Sequence, residues 1–114
     1  ASDVYKRQAS DVYKRQASDV YKRQVLAFVH AETSTGTRSD AAALCAMAAR
    51  HGALSIVDTV TSLGGIAVTV DEWGADAVYS GTQKCLSCLP GISPLTFSDR
   101  AVAHISRRKR KVQS

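Results

Sequence analysis

A primary amine and a carboxylate, Lys84 and Asp58, stand twenty-six residues apart, and each lies at or just beyond the end of a short apolar run. Asp58 closes Ser55-Ile56-Val57-Asp58, and Lys84 closes Ala77-Val78-Tyr79-Ser80-Gly81-Thr82-Gln83-Lys84. The length and β-branched content of the first run predict a buried strand with the acid at its carboxyl end, and Ala77-Val78-Tyr79 predicts another with the lysine just past it. Open parallel α/β sheets bind ligands outside the carboxyl ends of their strands, so the two groups would face one ligand. A lysine amine placed there can add to a carbonyl carbon and can carry a proton, chemistry that arginine cannot supply. By residue type alone a lysine after a strand is usually a solvated surface residue, and an acid such as Asp58 more often binds magnesium or a ribose or caps a helix. The chain has no Gly-x-Gly-x-x-Gly and no Gly-x-x-x-x-Gly-Lys-Ser/Thr loop, which argues against the ribose and magnesium-nucleotide readings.

The elements that must position these groups are legible in order. Val25-Leu26-Ala27-Phe28-Val29 predicts a strand, followed by the hydroxyl-rich loop His30-Ala31-Glu32-Thr33-Ser34-Thr35-Gly36-Thr37. Apolar residues at three- and four-residue spacing (Ala41, Leu44, Cys45, Met47, Ala48) predict a helix from Ser39 or Asp40 to about Arg50. Gly52 is its expected left-handed stop, which makes His51 a helix-end residue. Residues 53–58 form the acid-bearing strand, and Thr59 to Gly65 a polar turn ending in paired glycines. A short helical turn over residues 71–76 returns the chain to the lysine-bearing strand, with Trp73 as a packing residue. Cys85-Leu86-Ser87-Cys88 has Cys-x-x-Cys spacing, but a structural zinc site needs four ligands and Cys45 is the one remaining cysteine. A thioredoxin-like pair would open a helix, so the expected role is small apolar packing, with no metal site. Residues 95–98 predict a further strand, and Ser98 or Asp99 caps a final helix.

Residues 1–24 are three identical copies of Ala-Ser-Asp-Val-Tyr-Lys-Arg-Gln. A period of eight matches neither coiled-coil repeats nor solenoids. Written as codons, GAT-GTG-TAT-AAG-AGA-CAG encodes Asp-Val-Tyr-Lys-Arg-Gln and looks like a transposase-end adapter used in DNA-sequencing libraries. The expectation is an assembly artefact set apart from the fold, with residues 25–114 a partial domain truncated at both ends. The alternative is a genuine basic arm of low complexity. The repeats carry six of the fifteen basic residues and three of the ten acids, hence +3 of the net +5. Five of the remaining nine basic residues form Arg107-Arg108-Lys109-Arg110-Lys111, which leaves residues 25–106 slightly acidic. A small basic protein that binds nucleic acid through both arms is therefore the competing function class, without aromatic interleaving to support it. Ninety residues bury only about 60 to 65% of their unfolded surface, fewer than the implied sheet requires. With no long apolar run and no secretory pattern, a soluble cytoplasmic protein is the default, with reduced thiols and no membrane partner.

The two chemical motifs together resemble class V aminotransferases, of the fold-type I pyridoxal-phosphate enzymes, across residues 25–114. Tyr-Ser-Gly-Thr-Gln-Lys-Cys-Leu is similar to that family's lysine motif, and Glu32-Thr33-Ser34-Thr35-Gly36 to the loop of its alanine-glyoxylate and serine-glyoxylate branch. The resemblance implies an α/β fold, a fragment of the three-layer sandwich of the large domain with a mostly parallel sheet. It implies pyridoxal 5'-phosphate as cofactor, bound by Thr33 at a ring substituent, Asp58 at the ring nitrogen, Val60 on a ring face, Gln83 at the phosphate and Lys84 as a Schiff base. Asp58 and Lys84 would be the catalytic pair. Implied ligands are an alanine- or serine-type amino donor and glyoxylate or pyruvate as 2-oxo acid acceptor, in a homodimer that is cytoplasmic, or peroxisomal in a eukaryote. Ser-Gly-Thr-Gln-Lys departs from cysteine desulfurases, where histidine precedes the lysine, and from 2-aminoethylphosphonate transaminases, where asparagine does. Ureidoglycine-glyoxylate and 2-aminoethylphosphonate transaminases remain alternative branches. The phosphate-cradling upstream loop and the carboxylate-binding arginine of the carboxyl-terminal domain are missing here, so this stretch alone is expected to be inactive.

Overall fold

A computed structural model of the chain describes residues 24–109. The repeat reading thus falls, but for Gln24, outside the described residues, as do Arg110 and Lys111 of the basic run. Nine elements follow in order: β1 (Val25–Val29), β2 (Ala31–Glu32), β3 (Thr37–Arg38), α1 (Ala41–Arg50), β4 (Leu54–Asp58), α2 (Val70–Trp73), β5 (Ala77–Tyr79), β6 (Leu95–Phe97) and α3 (Asp99–Ser106). The main sheet has the order β1-β4-β5-β6, with β1, β4 and β5 mutually parallel and β6 antiparallel to β5. A separate hairpin pairs β2 with β3.

Strand alternation sorts side chains by face. Leu26 and Phe28 of β1, Val57 of β4 and Val78 of β5 are buried against Leu44, Cys45, Met47 and Ala48 of α1, forming one core. Small side chains on α1 let it lie close to the sheet. Asp40 caps its start by accepting from the Ala43 amide at 3.1 Å, and Gly52 ends it at φ +69, the left-handed value expected of that glycine. His51 sits at the helix end with Nδ1 2.9 Å from the Met47 carbonyl. The opposite face carries, in register, Ala27, Ile56, Ala77 and Phe97 in one row and Val29, Asp58, Tyr79 and Leu95 in the next. These residues are partly or fully exposed, and no element among the described residues covers them. The described residues therefore supply the sheet and helices on one side, two layers of the expected three.

One polar network ties the far ends of the strands together. The Asp76 carboxylate is buried at 3% exposure and accepts from the Ser55 amide at 2.8 Å, Ser98 Oγ at 2.9 Å and Arg100 Nε at 2.9 Å. A second Arg100 nitrogen bridges Asp76 Oδ2 and the Ala53 carbonyl. Burial alone would raise the Asp76 pKa, but the Arg100 bond, the Ser55 amide and Ser98 together hold it at about 2. Ser98 also caps α3 as expected, accepting from the Ala101 amide at 3.0 Å. The network therefore joins β4, β5, β6 and α3 at the amino ends of the parallel strands, leaving their carboxyl ends free for a ligand.

Candidate functional site

The parallel strands deliver Val29, Asp58 and Tyr79 side by side, paired Val29 with Asp58 and Asp58 with Tyr79. Hydroxyls and amides of the following loops then fasten these ends. Thr59 donates both its amide (2.9 Å) and Oγ1 (2.8 Å) to the Tyr79 carbonyl, and Ser80 Oγ returns a bond to the Thr59 carbonyl at 3.1 Å. Thr61 Oγ1 donates to the Ala31 carbonyl at 2.5 Å, which draws the β2–β3 hairpin onto the loop after β4. The strand ends therefore form a braced rim.

Asp58 is oriented from two sides. Its Oδ1 accepts from the Val60 amide at 2.9 Å, and its Oδ2 accepts from the Tyr79 hydroxyl at 2.7 Å. The hydrogen bond to Asp58, with burial and the carboxylate charge, pushes the Tyr79 pKa above its ordinary value, so the phenol stays a donor at neutral pH. A carboxylate has about four acceptor positions, so two remain for a ligand. The Tyr79 hydrogen bond to Asp58 is a contact that sequence reading missed. The alternation of β5 put it on the Asp58 face, but the pairing depends on a β4–β5 register no local pattern reveals.

Thr33, Arg38, Thr61, Lys84 and Cys85 line one cleft of about 620 Å³ beneath the hairpin. Asp58 and Tyr79 line a separate hollow of about 190 Å³ on the sheet face, with Phe28 and Ile56. The structure thus brings Lys84 together with Thr33, and Asp58 together with Tyr79, in two depressions that share no lining residue, so the acid and the lysine do not line one cleft. Val60 is held through its amide on Asp58 but lines neither, and neither does Gln83. The Gln83 side chain folds back over Gly81, where an added Cβ would lie 2.6 Å from Oε1. At the hairpin tip, Glu32 accepts from both the amide and the hydroxyl of Ser34, which lowers its pKa and presents Thr33 outward.

The Lys84 segment rests on the paired glycines. An added Cβ on Gly65 would meet Cys85 Sγ at 2.8 Å, and one on Gly64 would meet the Leu86 side chain at 3.1 Å with φ already at +88. Gly65→Ala is expected to lower stability by about 1–3 kcal/mol through this overlap. Adding Cys85→Ala should recover most of the loss, read as urea midpoints of the two variants. Full additivity of the two substitutions would show that the contact does not matter. The expected packing role of Cys85 and Cys88 is corrected: both are exposed, because the described residues place no apolar surface over this turn. Trp73 does pack on the core, edge to face with the buried His30 ring at 4.8 Å. His30 Nδ1 has no hydrogen-bond partner, and burial followed by the Arg38 charge lowers its pKa.

Comparison with known proteins adds to this geometry. The aminotransferase class-V profile matches residues 7–110. A (S)-ureidoglycine–glyoxylate transaminase of Bacillus subtilis is 44% identical over 86 residues, covering 75% of this chain and 21% of that protein. The alanine–glyoxylate aminotransferase of Rattus norvegicus is 39% identical over 87 residues, 76% of this chain and 21% of its own length. Among solved structures, the ureidoglycine-glyoxylate aminotransferase of Bacillus subtilis superposes with a TM-score of 0.82 at 40% identity, covering 93% of this chain and 27% of that one. The alanine–glyoxylate aminotransferase of Nostoc sp. gives 0.79 at 47% identity, covering 86% and 26%. This chain thus spans about a fifth of the length of the curated relatives it matches.

Proposed function

Because the chain belongs to the class V aminotransferases, we propose that it carries the lysine-bearing heart of a pyridoxal-phosphate-dependent transaminase. In the intact enzyme an amino group would pass from an alanine- or serine-type donor to glyoxylate or pyruvate. The observation that carries this reading is the exposed Lys84 sharing a cleft with Thr33, while Asp58 is fixed at the carboxyl end of β4 by Val60 and Tyr79. The donor set fits the cofactor: a carboxylate with spare acceptor positions for a ring nitrogen, an amine for an aldehyde, a hydroxyl and an amide for polar substituents. Bound pyridoxal phosphate supplies an electron-accepting ring that stabilises negative charge at the substrate α-carbon.

The residues of this chain do the rest. Asp58 keeps a proton on the ring nitrogen, and the bonds from Val60 and Tyr79 keep the carboxylate aimed. Lys84 Nζ takes the proton from the substrate α-carbon and returns it elsewhere. Thr33 and Gln83 would hold polar substituents of the cofactor and Val60 would lie against a ring face, which for Gln83 requires its side chain to swing away from Gly81. Amino acids and 2-oxo acids are the partners, in a homodimer located in the cytoplasm. No helix among the described residues is long and apolar enough to cross a membrane. The slight acidity of residues 25–106 supports a role without nucleic acid. Ureidoglycine is the second donor to consider, on the strength of the 44% identical Bacillus subtilis relative.

The test is to supply alanine, serine and (S)-ureidoglycine, each with glyoxylate, to a full-length enzyme carrying this segment and to follow glycine formation. Glycine from none of the three, together with no alanine from serine or (S)-ureidoglycine when pyruvate replaces glyoxylate, would overturn the reading. In the same assay Asp58→Asn is expected to keep some bound cofactor while turnover falls about 10²- to 10³-fold. An unchanged rate would remove Asp58 from its role.

A further inference from the structure

We propose that Cys85 and Cys88 form a reversible dithiol–disulfide couple, a site of thiol oxidation on the segment that carries Lys84. The inference does not depend on the transaminase reading. Both thiols are exposed, whereas Cys45 is sealed in the core at 1% exposure. The chain reverses between them: the Ser87 amide donates to the Lys84 carbonyl at 2.9 Å and the Cys88 amide to the Thr82 carbonyl at 3.0 Å. Ser87 adopts φ +55, so the backbone between the cysteines is already turned. A three-residue step across such a reversal suits the Cα separation of about 4.4–6.8 Å that a disulfide needs. Each thiol gives up little on pairing. Cys85 Sγ makes one long contact to the Thr61 carbonyl at 3.5 Å, and Cys88 Sγ one to the Leu86 carbonyl at 3.3 Å, both with a weak donor.

The oxidant is a low-molecular-weight disulfide such as glutathione disulfide. One cysteine thiolate attacks a sulfur of that disulfide, forming a mixed disulfide and releasing one glutathione thiolate. The second cysteine thiolate attacks the protein sulfur of the mixed disulfide and releases the other. Two protein thiols are oxidised and one external disulfide is reduced to two thiols, so the exchange balances. Forming the bond withdraws Cys85 Sγ from Thr61 and from the Gly65 surface, which shifts the residue next to Lys84. The thiol state of the pair thereby sets how the lysine segment is seated.

The chain is equilibrated in glutathione buffers, quenched with acid, alkylated and digested with trypsin. Cleavage after Lys84 and Arg100 puts both cysteines in one peptide, residues 85–100, and Cys45 in another. The expected product is a 85–100 peptide that has lost two hydrogens and escaped alkylation, beside a fully alkylated Cys45 peptide. Cys88→Ser should stop at a glutathione adduct on Cys85, because the resolving thiol is gone. The equilibrium constant against glutathione should exceed that of the same chain in guanidinium by about tenfold. Two alkylated cysteines under excess glutathione disulfide, a disulfide that includes Cys45, or equal constants in buffer and guanidinium would each overturn the proposal.

Discussion

Lys84→Ala in a full-length enzyme carrying this segment is expected to lower transaminase turnover by about 10⁴-fold or more, the upper range for losing a positioned proton-transfer group. The loss should exceed that figure where the amine also forms a covalent bond, since a second step is then missing. Lys84→Arg should be no better. A guanidinium stays protonated and is not a nucleophile at neutral pH, so restoring the charge does not restore the reaction. Lys84 is solvent-exposed on a cleft wall, so its removal should leave the melting temperature of the cofactor-free protein unchanged. Measured side by side, unaltered stability with abolished turnover identifies a chemical role. Retained turnover in Lys84→Ala would end the assignment of this residue.

Asp76→Ala is expected to lower stability by about 2–3 kcal/mol, chiefly because it leaves the Ser55 amide and the Ser98 hydroxyl with unmet donors, while Arg100, 42% exposed, keeps water and the Ala53 carbonyl. The pH profile carries an independent signature. Asp76 has a folded pKa of about 2 against an ordinary 3.8, so its contribution is fully present above about pH 4 and is lost as pH falls through 3.8 towards 2. That difference corresponds to about 2 kcal/mol. Urea midpoints of the unmodified chain should therefore fall over this window, and those of Asp76→Ala should fall distinctly less. Parallel profiles would place the acid sensitivity elsewhere.

The fold was legible where a residue's neighbours in sequence decide its conformation. The apolar spacing of α1, its Asp40 cap and the left-handed Gly52 needed only local chemistry, as did the strands ending in Val29, Asp58 and Tyr79. The positions of Asp58 at the end of a strand and of Lys84 in the loop after one were legible too. What the sequence hid depends on register and topology. Asp76 looked like one acid of a short helical turn, and its bond to Arg100, twenty-four residues on, exists because β6 runs antiparallel back to the same edge. The Tyr79 bond to Asp58 needs the two strands aligned to the residue. The cysteines misled in the opposite direction: their apolar character argues for packing, but exposure is set by what lies over the turn.

The uncovered row Ala27, Ile56, Ala77 and Phe97 gives the sheet the character of an amphiphile. Along β1, β4 and β5 one side is buried in the core with α1, and the other sets this apolar row beside the polar pair Asp58 and Tyr79. Colloidal behaviour and folding are therefore written into alternate residues of the same strands. Val57 answers to packing density, while Ile56 beside it answers to solubility.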